Sequence, residues 1–262
     1  MLNRDSVIKK FEKMGAKVDF GRAPARGRPR IGLSIDVLNQ GAPNEAFAID
    51  ADADVELCVL DARPRDQHLL LMARRFESGE ILGKYLCGHD ERHWFVAGVE
   101  PGTTNVRTAM ESLKPASVRE RQKAIRPRKR NRRHNPAFVR QGEWFFLSAR
   151  DFDPGQNHVL RNEPLVRGRG KPHRAEELVR FGGDRVYVTE RYPGGISEAR
   201  YRCILAANPK SRHWGWRVMV RDPRVFVRGA IRHPDHKSVV LKHWYRVEVS
   251  VEVFSETVAF LD

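Results

Sequence analysis

Two short stretches of this chain bring together side chains that bind metals. One is Cys87-Gly-His89-Asp-Glu-Arg-His93, which offers a thiolate and two imidazoles within seven residues. The other is His233-Pro-Asp-His236, which offers two imidazoles beside a carboxylate. Zinc takes nitrogen and sulfur ligands of this kind, four in a structural site and three plus a water in a catalytic one. If the fold joins the two stretches, the candidate zinc ligands are Cys87, His89, His93, His233 and His236.

Neither stretch has the spacing of a standard zinc motif. The intervals are not those of a zinc finger or ribbon, and no H-E-x-x-H sequence is present. His-Pro-Asp is typical of a tight turn, and Gly-His-Asp-Glu-Arg is typical of an exposed loop. Two polar turns therefore explain the same residues, and the sequence leaves open whether the protein has no cofactor or binds zinc.

The sequence contains few residue patterns that would support catalysis without a metal. His89 beside Asp90, or His233 near Asp235, could pair a base with an orienting carboxylate. However, residues adjacent in sequence rarely face one another on a strand or tight turn. There is no G-x-S-x-G sequence, and no cysteine stands in a recognisable catalytic context. No catalytic residue is predicted, and a non-enzymatic protein is favoured.

A dense run of positive charge, Arg119–Arg133, lies in the middle of the chain and is called the basic segment. Nine of its fifteen residues are Lys or Arg, and only Glu120 opposes them. Such a density of charge repels itself and is hard to bury, so it predicts a solvated segment that meets a negatively charged partner. The predicted phosphate contacts are Arg119, Arg121, Lys123, Arg126, Arg128, Lys129, Arg130, Arg132 and Arg133.

Two further features could extend a surface for nucleic acid. Arg167, Arg169 and Lys171 surround two glycines whose backbone N–H groups could approach a phosphate, although a flexible loop explains them equally. Trp244 lies opposite the valine face of its strand, so its ring is predicted to be exposed and able to stack on a base. Trp214, by contrast, continues into Val218 and Val220 with a period of two, which favours core packing.

Composition and charge bound the class of protein. The chain has 262 residues, 40% hydrophobic and 31% charged, with a net charge of +15. This balance favours nucleic acid, either RNA or DNA, or an acidic protein as the partner. Three widely separated cysteines argue for a reducing compartment. The sequence shows no secretory signal and no apolar run near the roughly 20 residues that span a bilayer, so it predicts a soluble, cytoplasmic protein without a membrane partner.

Charge also divides the chain into three regions. Residues 1–113 hold 16 basic and 17 acidic residues, residues 114–136 hold 10 and 1, and residues 137–262 hold 22 and 15. The division predicts a β-rich N-terminal region with acidic strands, a basic connector, and a basic, β-rich C-terminal region. A solvated loop within a single domain explains the middle region as well.

Hydrophobic periodicity predicts the elements that must position these residues. Val7, Ile8, Phe11 and Met14 share one face of a helix that Asn3 can cap. Short alternating runs predict strands over 31–37, 45–50, 55–61, 68–73, 93–99, 185–190, 224–231 and 245–253. Further helices are predicted after Thr103 or Thr104 and over 197–207. The fold class is therefore α+β, mostly antiparallel β-sheet with a few short helices.

Three functions remain in competition at this point. The leading hypothesis is a non-enzymatic nucleic-acid-binding protein that contacts phosphates through the basic segment and a basic β surface. The second is a metal-dependent hydrolase or nuclease that uses the Cys/His cluster. The third is an interaction subunit of a larger assembly, in which complementary charged patches meet protein partners.

Overall fold

A computed structural model describes residues 4–21, 32–38, 44–166 and 171–252. About half of the described residues are in strands and a fifth are in helices, which confirms the predicted α+β class with mostly antiparallel sheets. The helices are α1 Arg4–Met14, α2 Val106–Ser112, α3 Ala116–Arg121 and α4 Glu198–Ala207. The strands are β1 Lys17–Phe20, β2 Leu33–Leu38, β3 Ala46–Ala51, β4 Val55–Arg63, β5 His68–Arg75, β6 Ile81–Asp90, β7 His93–Val99, β8 Val139–Gln141, β9 Trp144–Ser148, β10 Leu160–Leu165, β11 His173–Phe181, β12 Asp184–Thr189, β13 Tyr192–Ile196, β14 Arg217–Arg221, β15 Arg224–His233 and β16 His236–Val249.

The N-terminal region contains two sheets and a covering helix. One sheet has the order β1-β3-β2 and the other the order β4-β5-β6-β7. Helix α1 buries Val7, Phe11 and Met14, as the three- and four-residue spacing predicts. The helix ends at Gly15, whose φ of +89° favours glycine. The predicted cap Asn3 lies outside the described residues.

Helix α2 begins one residue later than the predicted caps allow. Asn105, not Thr103 or Thr104, is its N-cap: its side-chain oxygen accepts from the Thr108 N–H at 3.0 Å. The Thr108 hydroxyl accepts in turn from the Asn105 N–H at 3.1 Å, which completes a capping box. None of the helices in the described part of the chain has the length and apolar character needed to cross a lipid bilayer.

The C-terminal region is built on a six-stranded antiparallel sheet with the order β10-β11-β15-β16-β9-β8. Strand β9 is buried through Trp144–Leu147. Strand β16 ends at Val249 rather than continuing to 253. The register pairs Arg174 with Arg232 and His233 with His236, so the start of β11, the end of β15 and the start of β16 lie side by side.

The residues between β11 and β15 in sequence form a smaller three-stranded sheet with the order β13-β12-β14. Helix α4 follows β13 and is capped by Ser197, as the sequence predicts. The buried face predicted for Trp214, Val218 and Val220 is wrong. Trp214 lies in the turn before β14, and both valines are more than half exposed on an edge strand that pairs only with β12 in the described residues.

Candidate metal centre

Three histidines from neighbouring strands of the six-stranded sheet meet at one end of it. His173 begins β11, His233 ends β15 and His236 begins β16. Each offers a ring nitrogen, and these three nitrogens lie within 4.8 Å of one another. The ring centroids of His173 and His233 are 4.2 Å apart, and those of His233 and His236 are 4.7 Å apart. We call His173, His233 and His236 the histidine cluster.

His173 is the most deeply buried member of the cluster. It is 2% exposed, and neither of its ring nitrogens makes a hydrogen bond to any of the described residues. The nearest carboxylate oxygen, Glu143 Oε1, is 4.0 Å from Nδ1, which is beyond hydrogen-bond distance. An imidazole buried in this way is unfavourable unless it gains a ligand, because each unpaired polar atom costs about 1–3 kcal/mol.

His236 is held in the orientation that metal-binding histidines adopt. Its Nδ1 is 3.2 Å from Glu91 Oε2. A carboxylate only accepts, so Nδ1 carries the proton and Nε2 keeps its lone pair. The same oxygen accepts the Lys237 N–H at 2.9 Å, and Glu91 also pairs with Arg133. Glu91 holds a φ of +55°, which non-glycine residues rarely adopt, so the fold keeps a strained residue at the position that orients His236.

His233 is fixed by the turn that joins β15 and β16. Its Nδ1 accepts the Asp235 N–H at 3.1 Å, so its Nε2 carries the proton and donates to the Lys171 carbonyl at 3.1 Å. Metal binding through either nitrogen of His233 replaces one of these two bonds. Coordination at this residue therefore requires a small local rearrangement. His173, by contrast, has two ring nitrogens without a partner among the described residues, and the Glu91 contact of His236 uses only Nδ1.

The cluster is electrically neutral at pH 7. Burial, together with the neighbouring His233 and His236, lowers the pKa of His173 to about 3. Burial also lowers the pKa of His233 and of His236 from the ordinary imidazole value. Neutral imidazoles keep one lone pair each, and this is the form that binds transition metals.

A glycine leaves the space beside two of these rings open. Gly142 forms the turn between β8 and β9 with a φ of +56°. A Cβ at this position would lie 2.9 Å from His236 Nε2 and 3.4 Å from His173 Nε2. The buried Gln141 holds the turn in place by donating to the Lys237 carbonyl at 2.7 Å. The β8–β9 turn therefore closes over the cluster without filling the space next to its nitrogens.

Charged residues form a second layer around the cluster. Burial alone would raise the pKa of Asp90, but Arg140 and Arg133 outweigh it and hold this pKa below its usual value. Asp235 binds Lys171 Nζ at 3.0 Å and lies 3.9 Å from His93 Nε2. Burial likewise acts to raise the pKa of Asp235, and Lys171 reverses the effect. Both carboxylates are ionised at pH 7.

The cluster opens into a cavity of about 180 Å³ between the N-terminal and C-terminal sheets. One part of the lining is polar and contains the three histidines with Asp235, Arg140 and Lys171. The other part is apolar and includes Leu86, Phe95, Val96, Met110, Phe138 and Phe145. The cavity therefore places cationic and anionic groups next to the candidate ligands, with an apolar wall opposite.

The five predicted metal ligands separate into three groups in the structure. His233 and His236 belong to the cluster. His93 does not, but its Nε2 lies 3.9 Å from the carboxylate of Asp235, in the turn between these two histidines. Cys87 is fully buried in the N-terminal core, where burial raises the pKa of its thiol well above the usual range. His89 shares the Cys87 face of β6 and packs its ring edge against Trp94 at 4.9 Å. The structure therefore does not bring Cys87 or His89 together with the histidine cluster.

The sequence offered no signal for His173. Its strand, β11, was not predicted, because a β-bulge between Ala175 and Glu177 breaks the alternation of buried residues. Buried positions fall at His173 and Ala175 and then at Leu178 and Val179. A rule that tolerates one inserted residue would have found the strand and placed His173 at its buried start.

The basic segment is folded rather than fully solvated, which corrects the sequence expectation. Gln122 within the segment is buried, and the buried Lys114 just before the segment donates to the Arg130 carbonyl at 3.1 Å. Arg130 itself donates to the Ile125 carbonyl at 2.8 Å, and Arg133 pairs with Asp90 and Glu91 beside the histidine cluster. The remaining seven cationic side chains are exposed: Arg119, Arg121, Lys123, Arg126, Arg128, Lys129 and Arg132.

The other predicted nucleic-acid contacts have different outcomes. Arg167 and Arg169 lie outside the described residues. Lys171 is described, and it pairs with Asp235 at the candidate metal centre. The prediction of an exposed Trp244 ring is wrong: Trp244 is 6% exposed, packs edge-on against Phe152, and carries Arg228 on its face at 4.7 Å.

No protein-family model, curated protein or solved structure matches this chain. What the fold and site define is therefore an α+β protein with a three-histidine cluster at the end of an antiparallel sheet. A functional assignment has to be built from the chemistry of this cluster and its surroundings.

Proposed function

We propose that this protein is a metal-dependent hydrolase in which the histidine cluster binds one divalent transition-metal ion, zinc in the first instance. The observation that carries the proposal is His173, a buried imidazole whose two nitrogens have no partner among the described residues and which faces two further histidines. Three histidine ligands are typical of catalytic zinc sites, which keep the fourth position for water or substrate.

The residues around the cluster suit hydrolysis of an anionic ester. Zinc lowers the pKa of a bound water to about 7, which supplies a hydroxide nucleophile at neutral pH. Asp235 lines the same cavity and is the candidate general base. Arg140 and Lys171 also line it and can neutralise a phosphate group. A phosphodiester is therefore the substrate class that these charges favour.

The proposal is tested with bis(p-nitrophenyl) phosphate and metal-loaded protein. We expect hydrolysis that requires zinc, manganese or cobalt, and a His173→Ala variant that retains neither metal nor activity. His158→Ala is the matched control, because His158 is exposed and does not belong to the cluster. Hydrolysis that is unchanged in His173→Ala, or that persists after the metal is removed, would contradict the proposal.

The role of Asp235 can be separated from metal binding. An Asp235→Asn variant keeps the Asp235 backbone N–H that bonds to His233 but loses the carboxylate. We expect it to retain the metal while its turnover falls by about 100-fold, the lower end of the usual contribution from a general base. Full turnover in this variant would remove Asp235 from the proposed mechanism.

A second function, binding of nucleic acid through the basic segment, is favoured by one observation. Seven of its nine cationic side chains are exposed, and only Lys123 forms an ion pair, with Glu120, among the described residues. If six or seven phosphates are neutralised on a duplex, the slope of log affinity against log salt is about −5 to −6. A flat salt response would contradict this function. Together the two functions describe a nuclease.

The contacts of the basic segment can be tested by charge removal. Gln substitution of Arg126, Arg128, Lys129 and Arg132 removes four exposed charges without touching the buried anchors. We expect the slope of log affinity against log salt on duplex DNA to become shallower by about four times the value for one phosphate contact. Binding to unrelated DNA sequences should weaken to a similar extent. Unchanged affinity in this variant would place the binding surface elsewhere.

A further inference from the structure

The small sheet and its helix form a strongly basic surface away from the histidine cluster. We call residues 184–221 the β12–β14 module. It holds eight Lys or Arg residues and three Asp or Glu residues. Helix α4 buries none of its residues, and every residue of β14 is exposed. The module therefore presents most of its surface, and an excess of positive charge, to the solvent.

Aromatic side chains are stacked within this charged surface. The Arg191 guanidinium lies 4.1 Å from the centre of the Trp214 ring. Trp216 is nearly parallel to Trp214, with ring centres 6.1 Å apart. Trp216 is anchored because its Nε1 donates to the Ser211 carbonyl at 2.8 Å. Trp214 has no comparable side-chain hydrogen bond in the described residues, and a base that stacks on its ring would take the place of the Arg191 guanidinium on that face.

Trp214 borders a shallow groove on this surface. Its lining consists of Thr189, Glu190, Arg191, His213, Trp214, Gly215 and Arg217, so one carboxylate accompanies the cationic side chains. A planar ring with cationic side chains on its margin is the combination that stacks a nucleobase and neutralises the adjoining phosphates.

We propose that this groove binds single-stranded nucleic acid, with a base stacked on Trp214 and the flanking phosphates held by Arg191 and Arg217. Single strands are favoured over a duplex because their bases are free to leave the stack and lie on a protein ring. The inference goes beyond the proposed functions, since it uses neither the metal nor the basic segment.

Nucleic acid is favoured over a protein partner because of the charge. The edge strand β14 exposes Val218, Met219 and Val220 and could pair with a strand of another protein. However, a surface with eight basic and three acidic residues attracts a polyanion over a wider range of distances than an apolar edge attracts a strand. A protein partner is the alternative outcome, indicated by failure of any oligonucleotide to bind the module.

The experiment measures binding of fluorescein-labelled oligothymidylate by anisotropy, with an abasic oligomer of equal length as the comparison. The full-length protein is used in EDTA, so that the metal centre plays no part. We expect Trp214→Ala to weaken binding about fivefold to 100-fold, the usual effect of losing one base–aromatic stack, and Trp214→Phe to restore most of it. The abasic oligomer should bind the wild-type protein more weakly than oligothymidylate does.

The charge contribution is tested with a matched pair of arginine variants. Arg191→Gln should reduce the salt slope by about 0.7, the value for one phosphate contact on a single strand. Arg161→Gln should leave it unchanged, because Arg161 is 82% exposed but lies on β10, outside the module. These surface variants keep the test decisive if Trp214→Ala does not fold.

Two results would overturn the inference. One is binding of Trp214→Ala, or of the abasic oligomer, within twofold of the wild-type value. The other is a pair of observations: oligothymidylate binding is lost completely when Arg126, Arg128, Lys129 and Arg132 are replaced by Gln, and Arg191→Gln does not change the salt slope. That second result would leave nucleic-acid binding by the basic segment intact, so failure here and failure of the proposed function are distinguishable.

Discussion

Replacing His173 with leucine should make the protein more stable than wild type without metal and less stable than wild type in excess zinc. His173 is buried, and its two ring nitrogens have no hydrogen-bond partner among the described residues. Leucine fills a similar volume without polar atoms. A protein that keeps an imidazole here gives up stability, which is the usual consequence of building a binding site into a core.

The expected gain follows from the contacts that change. An unpaired buried polar group costs about 1–3 kcal/mol, and removing it recovers part of that free energy. The substitution also loses the stack of His173 on His233, worth about 0.5–1.5 kcal/mol for aromatic pairs. With the middle of each range, the net gain for His173→Leu without metal is about 1 kcal/mol, which raises Tm by roughly 2–4 °C in a chain of this size.

The assay is thermal unfolding of wild type and His173→Leu, each in EDTA and in excess zinc. At 100 times Kd, a bound ion stabilises the native state by about 2.7 kcal/mol. Wild type should therefore gain roughly 5–10 °C on adding zinc, whereas the variant should gain nothing. His158→Leu is the control, and it should behave like wild type in both buffers because His158 is exposed.

Two results would refute the reasoning. A His173→Leu variant that is less stable than wild type in EDTA would show that the imidazole already has a favourable partner. A variant that keeps the zinc-dependent shift would show that the ion binds elsewhere.

Three further predictions concern the surroundings of the cluster and the cysteines. Gly142→Ala should weaken zinc binding at least tenfold, because its Cβ would lie 2.9 Å from a ligand nitrogen. Gly155→Ala is the control: this glycine has a φ of +55° and no atom within 4 Å of a Cβ, so the variant should lose only the stability that an unfavourable backbone conformation costs. Equal effects of the two variants on zinc affinity would contradict this prediction. Glu91→Gln should lower zinc affinity about 10- to 100-fold, because His236 loses the carboxylate that orients its ring. The affinity is measured by competition with a chromogenic chelator. Wild-type affinity in this variant would show that Glu91 does not orient His236 for metal binding. Cys203 should react rapidly with Ellman's reagent, while the buried Cys87 with its raised pKa should react only on unfolding; early modification of Cys87 would contradict its core position.

The fold class could be predicted from the sequence because its signals are local. The α1 face formed by Val7, Phe11 and Met14 and the alternation of β16 each lie within a short window. Strand β11 could not be found in this way, because its bulge interrupts the period of two. The exposure of Val218 and Val220 was also missed, since alternation cannot tell whether a second layer covers a face.

The candidate site was predictable only in part. The pairing of His233 with His236 could be seen because only Pro234 and Asp235 lie between them, in a tight turn. His173 joins them only through the register of β11 on β15, a contact across some 60 residues that spacing cannot reveal. Cys87 entered the candidate set because His89, Asp90 and Glu91 follow it closely, whereas its strand turns the thiol toward the core.

The most direct test of the central claim is a crystal structure of the zinc-loaded protein with anomalous data collected on both sides of the zinc edge. We predict one anomalous peak about 2.0–2.1 Å from a ring nitrogen of each of His173, His233 and His236. An ion bound away from these three histidines, or zinc-loaded crystals with no peak at the cluster, would contradict it.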